Sequence, residues 1–134
     1  MAETGSHEVL DRLFVYGTLR QGQTARSLVA NQITRSVRAH TSGTIYAFPM
    51  GYPGFSEGDG RVIGEVIWLC ELEATFGLLD AYEGGEFARV RRQVTLETGE
   101  ELWAWVYALS DPAATRLATL IPDGDWVRYW TDQD

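Results

Sequence analysis

The stretch Arg61-Val62-Ile63-Gly64-Glu65-Val66-Ile67-Trp68-Leu69 decides the fold of this chain. Its side chains alternate between two faces, as those of a strand do, and both faces are largely apolar. A strand that is apolar on both faces is typical of the middle of a sheet, where it is covered on both sides. We therefore predict a central strand over residues 61–69.

The chain upstream of this strand predicts further β-structure. Residues 35–48 form a second strand-like run, and residues 49–60 between the two runs are so rich in glycine and proline that they predict a loop. Residues 12–16 are a short apolar run that a glycine ends, which predicts a strand leading into a turn. Residues 24–32 predict a short helix with a threonine as its N-cap.

The chain downstream alternates between helices and a hairpin. Residues 72–83 carry apolar side chains at helical spacing, and a glycine pair follows them. Residues 87–96 and 101–109 predict two strands of a hairpin, and residues 111–120 predict a last helix that begins with an Asp-Pro pair. Hairpins in place of regular βαβ units predict an α+β fold, either a mainly antiparallel sheet or a small, mainly antiparallel barrel, with flanking α-helices.

The charge of the chain limits its function. The net charge is −8, and all eleven basic residues are arginines because the sequence contains no lysine. A surplus of acidic residues disfavours a nucleic-acid partner, which needs basic patches to neutralise phosphates. The absence of lysine excludes Schiff-base chemistry.

Length and composition predict one domain. We expect a polar N-terminal tail over residues 1–11 and a single domain over residues 12–134. The first residues have no apolar run typical of a secretory signal, and no stretch has the ~20 apolar residues of a membrane span. Cys70 is alone, so no intrachain disulfide can form. These features predict a cytoplasmic protein without a membrane partner, and they leave the oligomeric state open.

Glu83 is the first candidate catalytic residue. It follows Leu79 by four positions, so helical spacing places its carboxylate on the apolar face of the predicted helix, at its last turn. Desolvation and the negative end of the helix dipole both raise the pKa of a carboxyl group there, toward the range of a general base. The alternative is that the helix has already ended and that Glu83 points to solvent or pairs with Arg89 or Arg91.

The loop that follows the first strand is the second candidate. Its sequence Tyr16-Gly17-Thr18-Leu19-Arg20-Gln21-Gly22 contains glycines that let successive N–H groups converge on an anion such as a carboxylate. It has the spacing of neither a P-loop nor a dinucleotide-binding motif. A tight turn without a ligand remains the alternative.

Two other kinds of site are not supported. Gly54-Phe55-Ser56-Glu57-Gly58 matches the G-x-S-x-G pattern of serine hydrolases, but no helix follows it and both histidines of the chain precede it. His7, His40 and Cys70 are too far apart in sequence to suggest a metal site. We therefore predict neither a metal nor a cofactor.

Several short motifs together resemble the gamma-glutamylcyclotransferase-like family, in particular its small bacterial members. Phe-Val-Tyr-Gly-Thr-Leu-Arg at residues 14–20 precedes Leu-Asp-Ala-Tyr-Glu-Gly at residues 79–84 and Phe-Ala-Arg at residues 87–89, in the order and at the separation usual for that family. Tyr-Pro-Gly at residues 52–54 and Gly-Asp-Trp at residues 124–126 extend the similarity over nearly the whole chain. Each motif is short and unspecific alone, but the combination is distinctive.

The resemblance implies a small barrel with helices outside and an enzyme without metal or cofactor. It implies that Tyr16, Gly17, Thr18 and Leu19 bind the substrate through their backbone and that Glu83 is the catalytic residue. The implied reaction converts a gamma-glutamyl amine or gamma-glutamyl amino acid to 5-oxoproline and a free amine, with Glu83 as general acid and base. Phe87 stands where the family often has tyrosine, so a hydroxyl contact expected there is lost. The alternative function is a non-catalytic domain that binds a small carboxylated ligand.

Overall fold

The structure is a computed structural model that describes residues 10–132. Within that range the chain forms six strands: β1 (Arg12–Val15), β2 (Ile33–Ala47), β3 (Pro53–Leu69), β4 (Phe87–Leu96), β5 (Glu101–Leu109) and β6 (Thr119–Leu120). Two α-helices accompany them in the same range, α1 (Leu72–Glu83) and α2 (Trp126–Asp132). No helix among the described residues is long and apolar enough to cross a membrane.

Five of the strands in the described range close into a mixed barrel. β3 pairs antiparallel with β1 on one side and with β2 on the other, so the predicted central strand is confirmed. β2 continues to β4, β4 pairs with β5 as the predicted hairpin, and β5 returns to β1 through a parallel contact. β6 is an additional short strand on β2. The α+β class expected from the order of elements is therefore confirmed, and of its two architectures the structure contains the small mixed barrel that the resemblance implies.

Alternation along the strands creates two apolar clusters. Phe14 and Val66 point into the barrel, whereas their neighbours Leu13 and Ile67 point outward, and all four are buried. The outward-pointing residues are covered by α1, and its buried side chains Phe76 and Leu79 pack on them. β3 is apolar on both faces because one faces the barrel interior and the other faces α1.

The predicted secondary structure is wrong for two segments of the chain. Residues 53–60, predicted as part of a loop, belong to β3. Glycines are common there because the strand is crowded: a side chain at Gly54 would overlap Phe48 and Leu109. Residues 24–32 form no α-helix but two short 3-10 turns, Arg26–Leu28 and Ala30–Gln32, without a side-chain N-cap.

The C-terminal part also differs from the prediction. Asp111 caps the next turn as expected, since its Oδ1 accepts a hydrogen bond from the N–H of Ala113 at 3.0 Å. That turn is a 3-10 helix over Pro112–Leu117, and residues 119–120 instead pair with β2 as β6. Of the predicted polar tail, residues 1–9 lie outside the described residues, and Leu10 is buried.

Candidate active site

A cavity of about 270 Å³ lies where the end of β1, the end of α1 and β5 meet. Its floor is formed by buried residues of β1 and β5, including Phe14 and Tyr107, and its mouth by the exposed Tyr82 and Glu86. The remaining wall comes from the loop after β1 and from the start of β3. The residues that line it are Phe14, Val15, Tyr16, Gly17, Thr18, Leu19, Tyr52, Pro53, Tyr82, Glu83, Glu86, Phe87 and Tyr107. All five residues predicted for the site are therefore brought together in one cavity.

The loop after β1 lines this cavity and contains backbone N–H groups that the protein itself does not engage. Gly17 accepts a hydrogen bond from the N–H of Arg20 at 3.0 Å, which closes a turn over residues 17–20. Within residues 10–132 the N–H groups of Gly17, Thr18 and Leu19 donate no hydrogen bond to a protein acceptor. A side chain at Gly17 would overlap the ring of Pro53, so only glycine lets the loop lie against the cavity wall. Unengaged N–H groups at a cavity wall are suited to an anionic ligand.

A buried carboxylate beneath the loop holds it in place. Glu65 on β3 is 7% exposed and accepts hydrogen bonds from the N–H of Gln21 at 3.1 Å and from Arg26 Nη1 at 2.7 Å. Arg26 also donates to the carbonyl oxygen of Leu19 at 3.2 Å. Arg20 Nε lies 3.7 Å from Glu65, and its Nη1 pairs with Asp125 at 2.9 Å. This cluster was not predicted, although the glutamate within an otherwise apolar strand was a signal for it in the sequence.

The side chain of Tyr16 is structural, although its residue lines the cavity. Its hydroxyl donates to the carbonyl oxygen of Tyr107 at 2.7 Å and accepts from the N–H of Phe55 at 3.1 Å. Burial raises the pKa of Tyr16 well above its ordinary value, and the nearby carboxylate of Glu83 acts in the same direction. The hydroxyl therefore stays neutral, and it ties the loop region to β3 and β5.

Glu83 is the last residue of α1, and Gly84 at φ +69° ends the helix directly after it. Its side chain is half-buried at the cavity wall, and burial raises its pKa to about 7. In the part of the chain that the structure describes, no arginine pairs with it and no side chain donates a hydrogen bond to it. The alternative in which Glu83 pairs with Arg89 or Arg91 is therefore not what the structure contains. Arg89 binds Asp80 instead, and the guanidinium of Arg91 lies over the ring of Trp103.

Asp80 joins the end of α1 to the barrel one turn before Glu83. It accepts hydrogen bonds from Arg89 Nε at 3.0 Å and from the hydroxyl of Tyr107 at 2.6 Å. The Arg89 guanidinium lies between the rings of Phe76 and Trp105, at 4.4 and 4.5 Å. Partial burial alone would raise the pKa of Asp80, but the hydrogen bonds from Arg89 and Tyr107 outweigh it and hold this pKa below its ordinary value. This network positions the last turn of α1, which carries Glu83.

The mouth of the cavity combines aromatic rings with a second carboxylate. The Tyr52 hydroxyl donates to Glu86 Oε2 at 3.3 Å, and the pKa of Tyr52 is raised by partial burial and by Glu86. The Tyr52 ring stacks on Phe48 and meets Phe87 edge-on. Tyr52 thus brings a hydroxyl to the cavity that Phe87 lines without one. Sequence reasoning did not identify Tyr52, Glu86 or Tyr107 as cavity residues, because nothing local brings these three segments together.

Clusters suited to a metal ion do not occur among residues 10–132, since no three histidine, cysteine, aspartate or glutamate side chains converge there.

Comparisons with known proteins agree with this architecture. A family model described as gamma-glutamyl cyclotransferase, AIG2-like, matches residues 13–128. The chain is 31% identical over 129 residues to a Niallia circulans protein named gamma-L-glutamyl-butirosin B gamma-glutamyl cyclotransferase, covering 90% of this chain and 78% of that protein. It is 33% identical over 118 residues to the gamma-glutamylcyclotransferase family protein YtfP of Escherichia coli K12, covering 87% of this chain and 96% of YtfP.

A solved structure is similar over most of the fold. YkqA from Bacillus subtilis superimposes with a TM-score of 0.73 at 26% identity, over 93% of this chain, although the chain spans only 42% of the YkqA chain. The family model covers the barrel, the loop after β1 and the end of α1. The chain therefore belongs to the gamma-glutamyl cyclotransferase, AIG2-like family.

Proposed function

We propose that this protein is an active cyclotransferase that converts a gamma-glutamyl amine or gamma-glutamyl amino acid to 5-oxoproline and a free amine, with Glu83 as general acid and base. One observation carries the proposal. A carboxylate without a partner among the described residues, whose pKa is about 7, shares a small cavity with three unengaged backbone N–H groups. The N. circulans relative is named as a gamma-glutamyl cyclotransferase of gamma-L-glutamyl-butirosin B, which supports a gamma-glutamyl compound as the substrate here.

The glutamyl part of the substrate has two charged groups, and the cavity offers a partner for each. Its α-carboxylate fits the N–H groups of Gly17, Thr18 and Leu19, which line the wall. Its α-ammonium fits the carboxylate of Glu83. Held in this way, the chain of the glutamyl group curls so that its own α-nitrogen lies near its γ-carbonyl carbon, and this proximity replaces a bimolecular encounter.

The reaction is then a sequence of proton transfers around one ring closure. Glu83 takes a proton from the α-ammonium, and the free amine attacks the γ-carbonyl carbon, forming the new C–N bond of the five-membered lactam. The α-nitrogen gives up a second proton, and the amide C–N bond to the leaving group breaks. The leaving nitrogen gains both protons by way of Glu83 and departs as an ammonium ion, so no water is consumed. A carboxyl group with a pKa near 7 can both accept and return a proton at neutral pH.

The neighbouring ionisable groups are less suited to this task. The hydroxyl of Tyr16 is engaged by two backbone groups, and its raised pKa keeps it protonated. Asp80 is held ionised by Arg89 and Tyr107, so its carboxylate is a poor proton shuttle. Glu83 is the carboxylate in the cavity wall that can change its protonation state with little cost.

The direct test is the Glu83→Gln variant. Purified protein is incubated with a panel of gamma-glutamyl amines and amino acids, and 5-oxoproline is measured by mass spectrometry. We expect a loss of about 10²–10⁴-fold in turnover, the usual contribution of a general acid and base. The matched control is Glu73→Gln, an exposed glutamate in the first turn of the same helix, which should keep full activity. Undiminished turnover by Glu83→Gln would contradict the proposal, and tight binding without turnover by the wild-type protein would favour a binding domain.

A further inference from the structure

The mouth of the cavity is negatively charged. Among the thirteen residues that line the cavity are two glutamates, Glu83 and Glu86, and no arginine, lysine or histidine. Glu86 is exposed on the short turn Gly84–Glu86, and the Tyr52 hydroxyl orients its carboxylate by a hydrogen bond of 3.3 Å. Any group that leaves the cavity through this mouth passes an oriented carboxylate.

Three arginines adjacent in sequence or in contact with the segments that line the cavity are engaged elsewhere. Arg20 and Arg26 pair with Glu65 beneath the loop, and Arg20 also pairs with Asp125. Arg89 is bound to Asp80 and enclosed by two aromatic rings. None of the three lines the cavity. A substrate group that carries a negative charge would therefore find no cation at the mouth.

The two carboxylates have different positions relative to the substrate. Glu83 lies beside the loop of unengaged N–H groups, where the glutamyl part binds in the proposed function. Glu86 lies on the exposed side of the cavity, where a substituent on the γ-amide extends toward solvent. The α-carboxylate and α-ammonium of the glutamyl part already have partners, so Glu86 is left to face the leaving group.

We infer that the leaving group is an amine that carries an additional positive charge, and that Glu86 is the residue that selects it. The inference rests on the proposed cyclotransferase function and names its substrate class. A cationic group held by Glu86 would form a charge-assisted hydrogen bond beside the Tyr52 hydroxyl, and its alkyl chain would pack on the rings of Tyr52 and Phe87. A leaving amino acid would instead bring its carboxylate next to Glu86, where like charges repel.

The inference can be tested with three gamma-glutamyl amides that differ in one terminal group. Their leaving amines are 1,4-diaminobutane, n-pentylamine and 5-aminopentanoate, which place an ammonium, a methyl or a carboxylate group at the end of the same four-methylene chain. The amide bond that breaks is electronically equivalent in all three. We expect kcat/KM to fall by about fivefold from the ammonium compound to the methyl compound, and again by about fivefold to the carboxylate compound, as for a solvent-accessible ion pair.

The variant Glu86→Gln tests the residue. In this variant the ratio of kcat/KM between the ammonium and methyl compounds should fall to about one. The matched control is Glu100→Gln, which removes an equal charge at the β4–β5 turn, at the far end of the hairpin from Phe87. Its ratio should equal that of the wild-type protein, because it changes the net charge but not the mouth.

The outcomes separate this inference from the proposed function. Equal kcat/KM for the three compounds with wild-type protein would overturn the inference and leave the cyclotransferase activity standing. The same would follow if Glu86→Gln slowed all three compounds equally, because Glu86 would then contact the shared glutamyl part. Absence of 5-oxoproline from all three compounds would overturn the proposed function, and the inference with it.

Discussion

At the scale of single residues, four carboxylates near the cavity differ because their surroundings differ. Asp80 is held ionised by Arg89 and Tyr107, and Glu65 is buried against Arg26 and Arg20. Glu86 is exposed and oriented by Tyr52. Glu83 alone combines partial burial with the lack of a cationic partner among residues 10–132. Burial without compensation raises its pKa, and this property is what a proton shuttle needs.

The pH dependence of turnover should report the pKa of Glu83. Because the base must be ionised to accept a proton, kcat/KM should rise with pH and reach half of its limiting value near pH 7. Below that pH it should fall about tenfold per pH unit. Steady-state kinetics between pH 5 and 8 measure this limb. A midpoint near pH 4.5, as for an exposed glutamate, would mean that Glu83 is not the group that titrates.

The same pKa predicts that Glu83 destabilises the fold at neutral and higher pH. Its pKa is about 7 in the folded state and about 4.5 in the unfolded state, so the folded state binds the proton more tightly and loses stability as pH rises between these values. Glu83→Gln removes the charge, and we expect it to be more stable than wild type by about 3 kcal/mol at pH 8. The difference should approach zero at pH 4.5. Urea denaturation of both proteins at the two pH values measures it, and a variant less stable than wild type at pH 8 would contradict the prediction.

At the scale of elements, the cavity depends on two segments that carboxylates hold in place, the buried Glu65 and the exposed Asp80. The loop after β1 has little regular structure of its own, and Glu65 holds it through the N–H of Gln21 and the side chain of Arg26. The last turn of α1 is held by Asp80. Both segments are thus attached to the barrel by side chains of other elements. As a result, the loop that we propose to bind the substrate lines the same cavity as the proposed base.

We expect Glu65→Gln to weaken substrate binding more than it affects the chemical step. Glutamine keeps an acceptor for the N–H of Gln21, but it loses the charge that pairs with Arg26 and Arg20. We expect the free energy of unfolding to fall by about 2–3 kcal/mol, because the two arginines lose a buried partner. KM should rise severalfold while kcat changes less than twofold, since Glu83 is untouched.

The control for this prediction is Glu101→Gln, an exposed glutamate at the start of β5 that should leave both parameters unchanged. Kinetics are measured well below the melting temperature of the variant. A purely structural role for Glu65 would lower the melting temperature and leave KM as it is in the wild-type protein.

At the scale of the whole molecule, β1 closes the barrel. It lies between β3, with which it pairs antiparallel, and β5, which it meets in parallel. The close approach of β1 and β3 depends on Gly64, because a side chain there would overlap the carbonyl oxygen of Val15 and the ring of Phe14. β1 also leads directly into the loop of the cavity. Closure of the barrel and construction of the site are therefore coupled.

Gly64→Ala should strongly destabilise the protein, because the atom that its new methyl group meets is backbone and cannot rotate away. We expect a loss of about 3 kcal/mol or more in the free energy of unfolding, measured by denaturant titration. Gly77→Ala is the matched control: it makes the same change on α1, where nothing lies within 4 Å of the added methyl group. The control should be more stable than wild type by about 0.5–1 kcal/mol, as for alanine in place of glycine inside a helix. Equal stability of the two variants would contradict this account of barrel closure.

Local patterns predicted β1, β2, the second half of β3, α1 and the β4–β5 hairpin closely. Alternation and helical spacing are properties of residues close together in the sequence. For the same reason the predicted bounds of α1 equal the observed ones. The prediction was wrong for residues 53–60, because their glycines are required by contacts with distant parts of the chain, such as Leu109. It was wrong for residues 24–32, because packing of a short segment on the barrel favours two 3-10 turns over one helix.

What the sequence by itself determined was the α+β class, the helical position of Glu83 and the motifs that resemble a family. It could not decide between a solvent-exposed Glu83, an ion pair with Arg89 and an unpaired half-buried carboxylate, because that depends on which groups surround residue 83 in space. Only the tertiary structure shows that Arg89 pairs with Asp80. It also shows that Glu83 lines the same cavity as the loop after β1, with Glu86 at the mouth. The physical reason is that a pKa and a binding cavity arise from burial and from charges brought together by barrel closure, and the segments concerned lie far apart along the chain.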